Sequence, residues 1–201
     1  MTVSSATPDQ YPGVIDILVE SFAADPAFLR WIPQPDPGLR KLRGLFELQL
    51  EKQYALSGTI DVAHDAEGEL LGAALWDAPD GRHSARDQLS LLPSLIRLFG
   101  TGTAGVIHTE LSSARYHPRF PHWYLYTVAT TAAARGRGVG SALLSHGIDR
   151  AGEEAIYLEA TSTRAAALYA RLGFVPLGHL PGNDGTPQEL AMWRSPVVPG
   201  V

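Results

Sequence analysis

The sequence predicts an α/β fold, an α+β arrangement in which a central mixed β-sheet is flanked by helices. Three observations point to it. Residues 122–153 run from an aromatic and β-branched strand through a glycine-broken loop into a helix. Helical spacing fills the N-terminal part of the chain, and strands alternate with helices after it. Two strand patterns around a turn close the sequence, which supplies the antiparallel pair of a mixed sheet.

Taken in order, Met1 to Thr7 is small and polar and is expected to fray. From Asp9 to Ala23, Val14, Ile15, Leu18, Val19 and Phe22 recur at three and four residues, the mark of an amphipathic helix. Asp25-Pro26 ends it. A short turn over Ala27 to Ile32 precedes Pro33, Pro35, Pro37 and Gly38, which no helix continues through. Leu39, Leu42, Leu45, Phe46, Leu48 and Leu50 then give a second helix, ending near Leu56 to Gly58. Thr59–His64 and Glu69–Trp76 read as strands joined by the turn Asp65-Ala66-Glu67-Gly68. Ala85–Phe99 has helical spacing but contains Pro93, which predicts a kink or two shorter helices. Gly100 to Gly105 reads as a mobile joint, and Val106–Ala114 as another helix. Beyond the central unit, Ala155–Ala160 is a strand, Thr161-Ser162-Thr163 a helix cap, Arg164–Leu172 a helix and Gly173 its C-terminal stop. Phe174–Leu180 and Gln188–Arg194 are the closing strands, and the tail from Ser195 is expected to be loose.

Composition narrows the function. With 201 residues, 45% hydrophobic and 18% charged, one substantial core can form, so a single domain over 1–201 is expected. No segment reaches about 18 uninterrupted apolar residues, and no basic-then-apolar leader opens the chain, so a soluble, cytoplasmic protein without membrane contact is expected. The absence of cysteine excludes a disulfide framework, cysteine-bound metal and a cysteine acyl-enzyme. No metal is called for. A formal charge of −5 gives no general reason to bind nucleic acid.

The glycine loop carries the chemistry. Arg135-Gly136-Arg137-Gly138-Val139-Gly140-Ser141 lies where a helix begins, and the first N–H groups of a helix lack internal partners and carry the positive dipole end. Glycines there let an anion approach the bare backbone, and two arginines add charge, so a pyrophosphate fits. A dinucleotide site requires G-x-G-x-x-G directly after the strand and an acidic residue about 20 positions on. Glu159 suits the last clause, but Ser141 stands at the third glycine, and residues 131–135 intervene where a tight turn is needed. The pattern R/Q-x-x-G-x-G/A, an acetyl-coenzyme A loop, is matched at every fixed position by Arg135, Gly138 and Gly140.

With YLEATSTRAAALYARLGF downstream of that loop, the sequence resembles the GCN5-related N-acetyltransferase (GNAT) superfamily over most of its length. The order FAADPAFLRW, GAALWDAP, HPRFPHWYLYTVAT, RGRGVGSALL looks like the branch that includes puromycin N-acetyltransferase. The resemblance implies acetyl-CoA as cofactor and a small-molecule amine, an antibiotic or a metabolite, as acceptor. It implies cofactor contacts from Ser162 and a tyrosine, Tyr169, at the thioester sulfur. Two departures stand out: Val128-Ala129-Thr130-Thr131-Ala132 replaces L-A-V-D-P, and Ala165 replaces a common asparagine. The resemblance implies that the first matters little, since the family's contacts there are mainly backbone ones, and that the second weakens one hydrogen bond to the cofactor.

On that reading Val128, Ala129 and Thr130 offer free backbone groups to the pantetheine arm if the strand splays from its neighbour, with the Val128 N–H aimed at the carbonyl oxygen. Gly136 to Ser141 hold the pyrophosphate. Tyr169 faces the thiolate, although an ordinary phenol protonating a thiol near 8.5 is uphill by about 1.5 pKa units, roughly 2 kcal/mol. The base is Glu110, His117 or a water chain ending at either; Glu110 is equally a solvated acid, and His117 and His122 equally cap a strand entry. Phe22, Asp25, Phe28, Trp31, Trp76 and Tyr126 are candidate acceptor-lining residues, and Asp77 either holds a cationic acceptor or belongs to a turn. A non-catalytic acyl-CoA sensor is the rival reading, and the subunit is expected as monomer or homodimer.

Overall fold

The computed structural model describes residues 1–25, 32, 35–55, 58–79, 85–181 and 188–196, with 85–88 and 109–114 described for the backbone alone. Seven strands form one mixed sheet in the order β1-β2-β3-β4-β5-β7-β6. They are β1 Thr2–Ser5, β2 Gly58–His64, β3 Leu70–Asp77, β4 Trp123–Thr130, β5 Ile156–Ala160, β6 Val175–His179 and β7 Leu190–Arg194. The helices are α1 Tyr11–Phe22, α2 Arg40–Gln49, α3 Ala85–Phe99, α4 Thr103–Ala114, α5 Val139–Ala151 and α6 Thr163–Arg171. Neighbouring strands pair antiparallel except β4 with β5, which run parallel.

From Ala73 to Trp76, period-two alternation in β3 divides the core between the two sheet faces, while Leu71, three residues before Ala74, departs from it and joins the same cluster as Ala74. Ala73 and Leu75 join a cluster with Leu18 of α1 and Phe46 of α2, to which Phe99 of α3 and Val106 of α4 also belong. Leu71, Ala74 and Trp76 join the other, with Leu143 and Leu144 of α5 and Tyr169 of α6. Covered on both faces, β3 reads as a nearly unbroken apolar run, as such strands do. α5 lies so close to it that the Trp76 ring leaves no room for a Cβ on Gly147. At the far end of α5, Arg150 Nη1 donates to both carboxylate oxygens of the buried Asp61 on β2, at 2.7 and 2.9 Å, and its guanidinium lies between the rings of Trp76 and Trp123.

The turn at Asp65 forms as expected: its Oδ1 accepts from the N–H groups of Glu67 and Glu69 at 3.1 and 2.8 Å, and Gly68 takes φ 89°. Three expectations are corrected. The N-terminus does not fray, because β1 pairs with β2 from Thr2↔His64 to Ser5↔Asp61; backbone pairing fixes a segment whose side chains give no strand signal. Pro93 does not divide α3, which stays one helix because Leu95, Leu98 and Phe99 hold its inner side against the core, and Gly44 of α2 meets Leu98 with no room for a Cβ. Gly100–Gly102 is a 3-10 turn leading directly into α4, tied down by the Thr103 hydroxyl, which lies 3.1 Å from Leu95 O and 2.8 Å from Gly100 O. α2 continues into a π-helical turn over Leu50–Tyr54, so the helical run reaches Ala55, beside the expected end near Leu56.

Among the described residues, the helical run Leu89–His108 is long and apolar enough to cross a membrane by length and composition alone, with 17% of its window buried, although Ser94, Arg97 and Thr101 interrupt its apolar residues. It takes in α3 from Leu89 onward, the turn at Gly100–Gly102 and the first part of α4. The expected turns over Ala27 to Ile32 and Pro181 to Pro187 lie largely outside the described residues, as does the tail beyond residue 196.

Candidate active site

The site begins where β4 leaves β5. Their parallel pairing covers only Trp123↔Ile156 to Leu125↔Leu158, while β4 continues to Thr130 and β5 to Ala160. Separation therefore starts at Tyr126, earlier than the Val128 to Thr130 stretch expected from sequence. A bulge lies at that point, since Leu75 pairs with Thr127 and Trp76 with Leu125, leaving Tyr126 as the extra residue. It resets the alternation. Tyr126 and Ala129 both pack on the α1–α2 side although residues three apart in a regular strand point to opposite faces.

Hydrogen-bond phase decides which backbone groups are open. Thr131 N–H donates to Leu71 O at 3.0 Å, so 73/129 and 75/127 are the hydrogen-bonded pairs of the antiparallel ladder. Val128 and Thr130 then turn their N–H and C=O groups toward the gap. Ala129, expected to contact cofactor, turns its own toward β3 and is buried, so that expectation is corrected. The Ser21 hydroxyl of α1 reaches Thr130 O at 3.2 Å, which leaves Val128 the more accessible of the two.

At the open end of β4, a 3-10 turn over Ala132–Ala134 leads into the glycine loop. Gly136 and Gly138 have φ of 78° and 82°, and a Cβ at either would meet nothing within 4 Å. Their requirement is conformational, because a side chain in the left-handed region costs about 1–2 kcal/mol. Helix α5 starts at Val139, and the Ala142 N–H donates to Gly138 O at 3.0 Å. The N–H groups of Val139, Gly140 and Ser141 thus have no helix carbonyl to bond. Arg135 and Arg137 are exposed, but their own N–H groups bond Ala132 O and Ala134 O, so they offer guanidinium charge rather than amides. Val139 is buried and pins the loop to the core.

α6 stands beside this loop. Ser162 caps it, its Oγ accepting from Ala165 N–H at 3.2 Å. Tyr169 is buried next to Phe174, with ring centroids 6.0 Å apart, and burial pushes its phenol up to about 12. Handing its proton to a thiolate near 8.5 would then be uphill by about 3.5 units, roughly 5 kcal/mol. Tyr169 can donate a hydrogen bond to a thiolate but does not give up its proton.

On the opposite face, the side chains near the gap are aromatic and polar. The Tyr124 ring stacks on Tyr157 at 5.8 Å and meets His117 edge-on at 4.5 Å, and His117 lies 5.1 Å from Tyr157. Tyr157 OH donates to Glu159 Oε1 at 3.0 Å, and His117 Nε2 is 3.5 Å from that same oxygen. Tyr126 accepts from Gln49 Nε2 at 2.6 Å and packs on Tyr54, whose hydroxyl donates to Asp77 Oδ2 at 3.3 Å. Asp25, at the end of α1, accepts from Thr161 Oγ1 at 3.5 Å beyond the tip of β5.

Of the candidate acceptor-lining residues, Tyr126 and Asp25 are at this face. Phe22 packs against Phe46 at 6.0 Å, on the edge of the core. Trp76 is corrected: it is fully buried under α5, on the other face, because its place in β3 points it there. Phe28 and Trp31 lie outside the described residues, and for Glu110 only its backbone position on α4 is described. The sequence reading missed Tyr157 and Glu159 as site residues, though the signal was present. With Ile156, Leu158 and Ala160 turned to the core, the two residues between them share the other face.

Residues 29–174 match the model described as the Acetyltransferase (GNAT) family. A solved structure described as histone acetyltransferase HPA2 and related acetyltransferase, from Corynebacterium glutamicum, is 60% identical over 100% of this chain and 98% of that one, at a TM-score of 0.85. A phosphinothricin acetyltransferase from Sinorhizobium meliloti, solved in complex with AcCoA, shares the fold at 18% identity, covering 97% and 88% of the two chains, with a TM-score of 0.62. Among curated proteins, an uncharacterized protein of Mycobacterium leprae is 46% identical over 59 residues, 28% of this chain and 16% of that protein's length.

Proposed function

The chain belongs to the acetyltransferase (GNAT) family, and from that premise we propose that it transfers an acetyl group from acetyl-CoA directly to the amine of a small molecule, an antibiotic or a metabolite as in the puromycin-like branch. The observation that carries this reading is the divergence of β4 from β5 in line with the glycine loop. Acetyl-CoA, when bound, supplies the activated thioester. The amides of Gly136 and of Gly138 to Ser141 would hold its pyrophosphate, with Arg135 and Arg137 adding charge, and the gap-facing backbone of Val128 and Thr130 would hold its arm as an added strand.

The two faces of the sheet divide the work. α5 and α6 bring the donor from one side, and the acceptor amine enters from the side of Tyr124, Tyr126 and His117. At the gap, Val128 N–H stabilises the developing oxyanion. Tyr169, kept protonated by burial, hydrogen-bonds the leaving sulfur.

A thiol-release screen with acetyl-CoA against aminoglycosides, aminonucleosides, polyamines, arylalkylamines and peptide N-termini, paired with a CoA thermal shift, tests the reading. A raised melting temperature and turnover of at least one amine are expected. A shift without turnover would favour the acyl-CoA sensor, and neither would refute the reading.

A further inference from the structure

We propose that Ser21, on the last turn of α1, is a positioning residue for acetyl-CoA: its hydroxyl fixes the parted end of β4 and sets where the gap-facing row of backbone groups stops. That the ligand of this row is acetyl-CoA rests on the acetyl-transfer reading above; the fixing of the strand does not.

The need arises where β5 leaves. Beyond Leu125 the end of β4 has β3 alone as a neighbouring strand, and a strand paired on one side presents its outer N–H and C=O groups without holding them in place. α1 supplies what β5 no longer does. It is seated on this part of the sheet by Val14 and Leu18, which share a core cluster with Ala73, Leu75 and Ala129. Ser21 stands seven residues after Val14, on the same side of the helix, so a small polar side chain follows the apolar stripe to the strand end.

One peptide unit is then held from both sides. The N–H of Thr131 donates to Leu71 O at 3.0 Å across the ladder, and the carbonyl of the same unit, Thr130 O, accepts from Ser21 Oγ at 3.2 Å. The following unit is tied by the neighbouring residue of α1, since Ala132 N–H donates to Glu20 Oε1 at 3.3 Å. The two ties are unequal. Glu20 is exposed and its bond competes with water, whereas Ser21 is half-buried, so the hydroxyl carries most of the effect.

A ligand laid along the gap therefore meets both backbone groups of Val128 and the N–H of Thr130. The row ends there, because the Thr130 carbonyl and the Ala132 N–H that would extend it are engaged by α1. With the Val128 N–H turned to the oxyanion, one acceptor, Val128 O, and one donor, Thr130 N–H, are left for the arm. They match the N–H and C=O of a secondary amide, the polar group of an extended pantetheine chain.

The test compares Ser21→Ala, Ser21→Thr and Glu20→Ala with the wild type by amide hydrogen exchange of the ligand-free protein, CoA calorimetry and steady-state kinetics with any amine found in the screen. In Ser21→Ala the Thr131 amide should exchange about fivefold faster or more, and the CoA dissociation constant should rise about five- to tenfold. KM for acetyl-CoA should rise in step, while kcat at saturating acetyl-CoA stays within about twofold, because the bond holds the arm alike before and during transfer. Ser21→Thr, which keeps the hydroxyl, should restore exchange and affinity, and Glu20→Ala should change both less than Ser21→Ala does. Unchanged Thr131 exchange in Ser21→Ala overturns the proposal, as does unchanged or tightened CoA binding in that variant, or a threonine variant as impaired as the alanine one. If the wild type binds no CoA, the acetyl-transfer reading falls, while the exchange result still decides whether Ser21 fixes the strand.

Discussion

Replacing Tyr169 with phenylalanine removes one hydroxyl from a buried site and isolates its part in thiolate departure. With the phenol pushed up to about 12, it stays neutral across the working range, and proton donation to a thiolate near 8.5 is disfavoured by roughly 5 kcal/mol. What it offers instead is a hydrogen bond to a charged sulfur, worth about 1.5–3 kcal/mol. Loss of that bond predicts kcat lower by roughly ten- to a hundred-fold, with CoA affinity unchanged, because the bond strengthens as charge develops. Steady-state kinetics against pH, with CoA binding by calorimetry, is the assay. The wild type should show no basic limb that belongs to Tyr169 below about pH 11. Full activity of the variant, or a limb near pH 9 to 10 that the variant lacks, would refute the reasoning, since either means that the hydroxyl is idle or titrates as an ordinary phenol.

The same shift governs alkaline stability. A phenol raised from 10.0 to about 12 leaves stability intact below pH 10 and withdraws up to about 3 kcal/mol as pH rises to 12; denaturant midpoints of wild type and Tyr169→Phe should converge or cross in that window. Gly138→Ala forces a side chain to φ 82°, so a stability loss of about 1–2 kcal/mol and a CoA dissociation constant raised at least ten-fold are expected by thermal melt and calorimetry. Asp61→Ala strands Arg150 between two tryptophans and should cost about 3 kcal/mol in urea unfolding, the low end for a buried pair because Arg150 is 23% exposed. An unchanged midpoint would show that the pair is idle.

Local patterns carried far in the sequence. The β2–β3 turn followed from Asp65 and Gly68, the α6 cap from the run Thr161-Ser162-Thr163, and the loop before α5 from the glycines of 136–140, because each depends on a few adjacent residues and their own dihedral angles. Elements held by distant partners did not show. β1 exists through backbone bonds to β2, to which the polar residues Thr2, Ser4 and Ser5 give no clue. Pro93 reads as a break, and only packing at Leu98 and Gly44 keeps α3 whole.

The amino-acid order alone determined that a strand enters a helix through glycines able to take positive φ. Which side chains gather beside that loop and the end of the strand was settled only in three dimensions. A single bulge at Tyr126 resets the facing of β4, and the parting of β4 from β5 after Leu125 opens backbone groups that no residue type announces. Register is a property of two strands at once. For that reason Trp76 went to the core, while Glu159, 42 positions after His117 in the numbering, came to lie 3.5 Å from it.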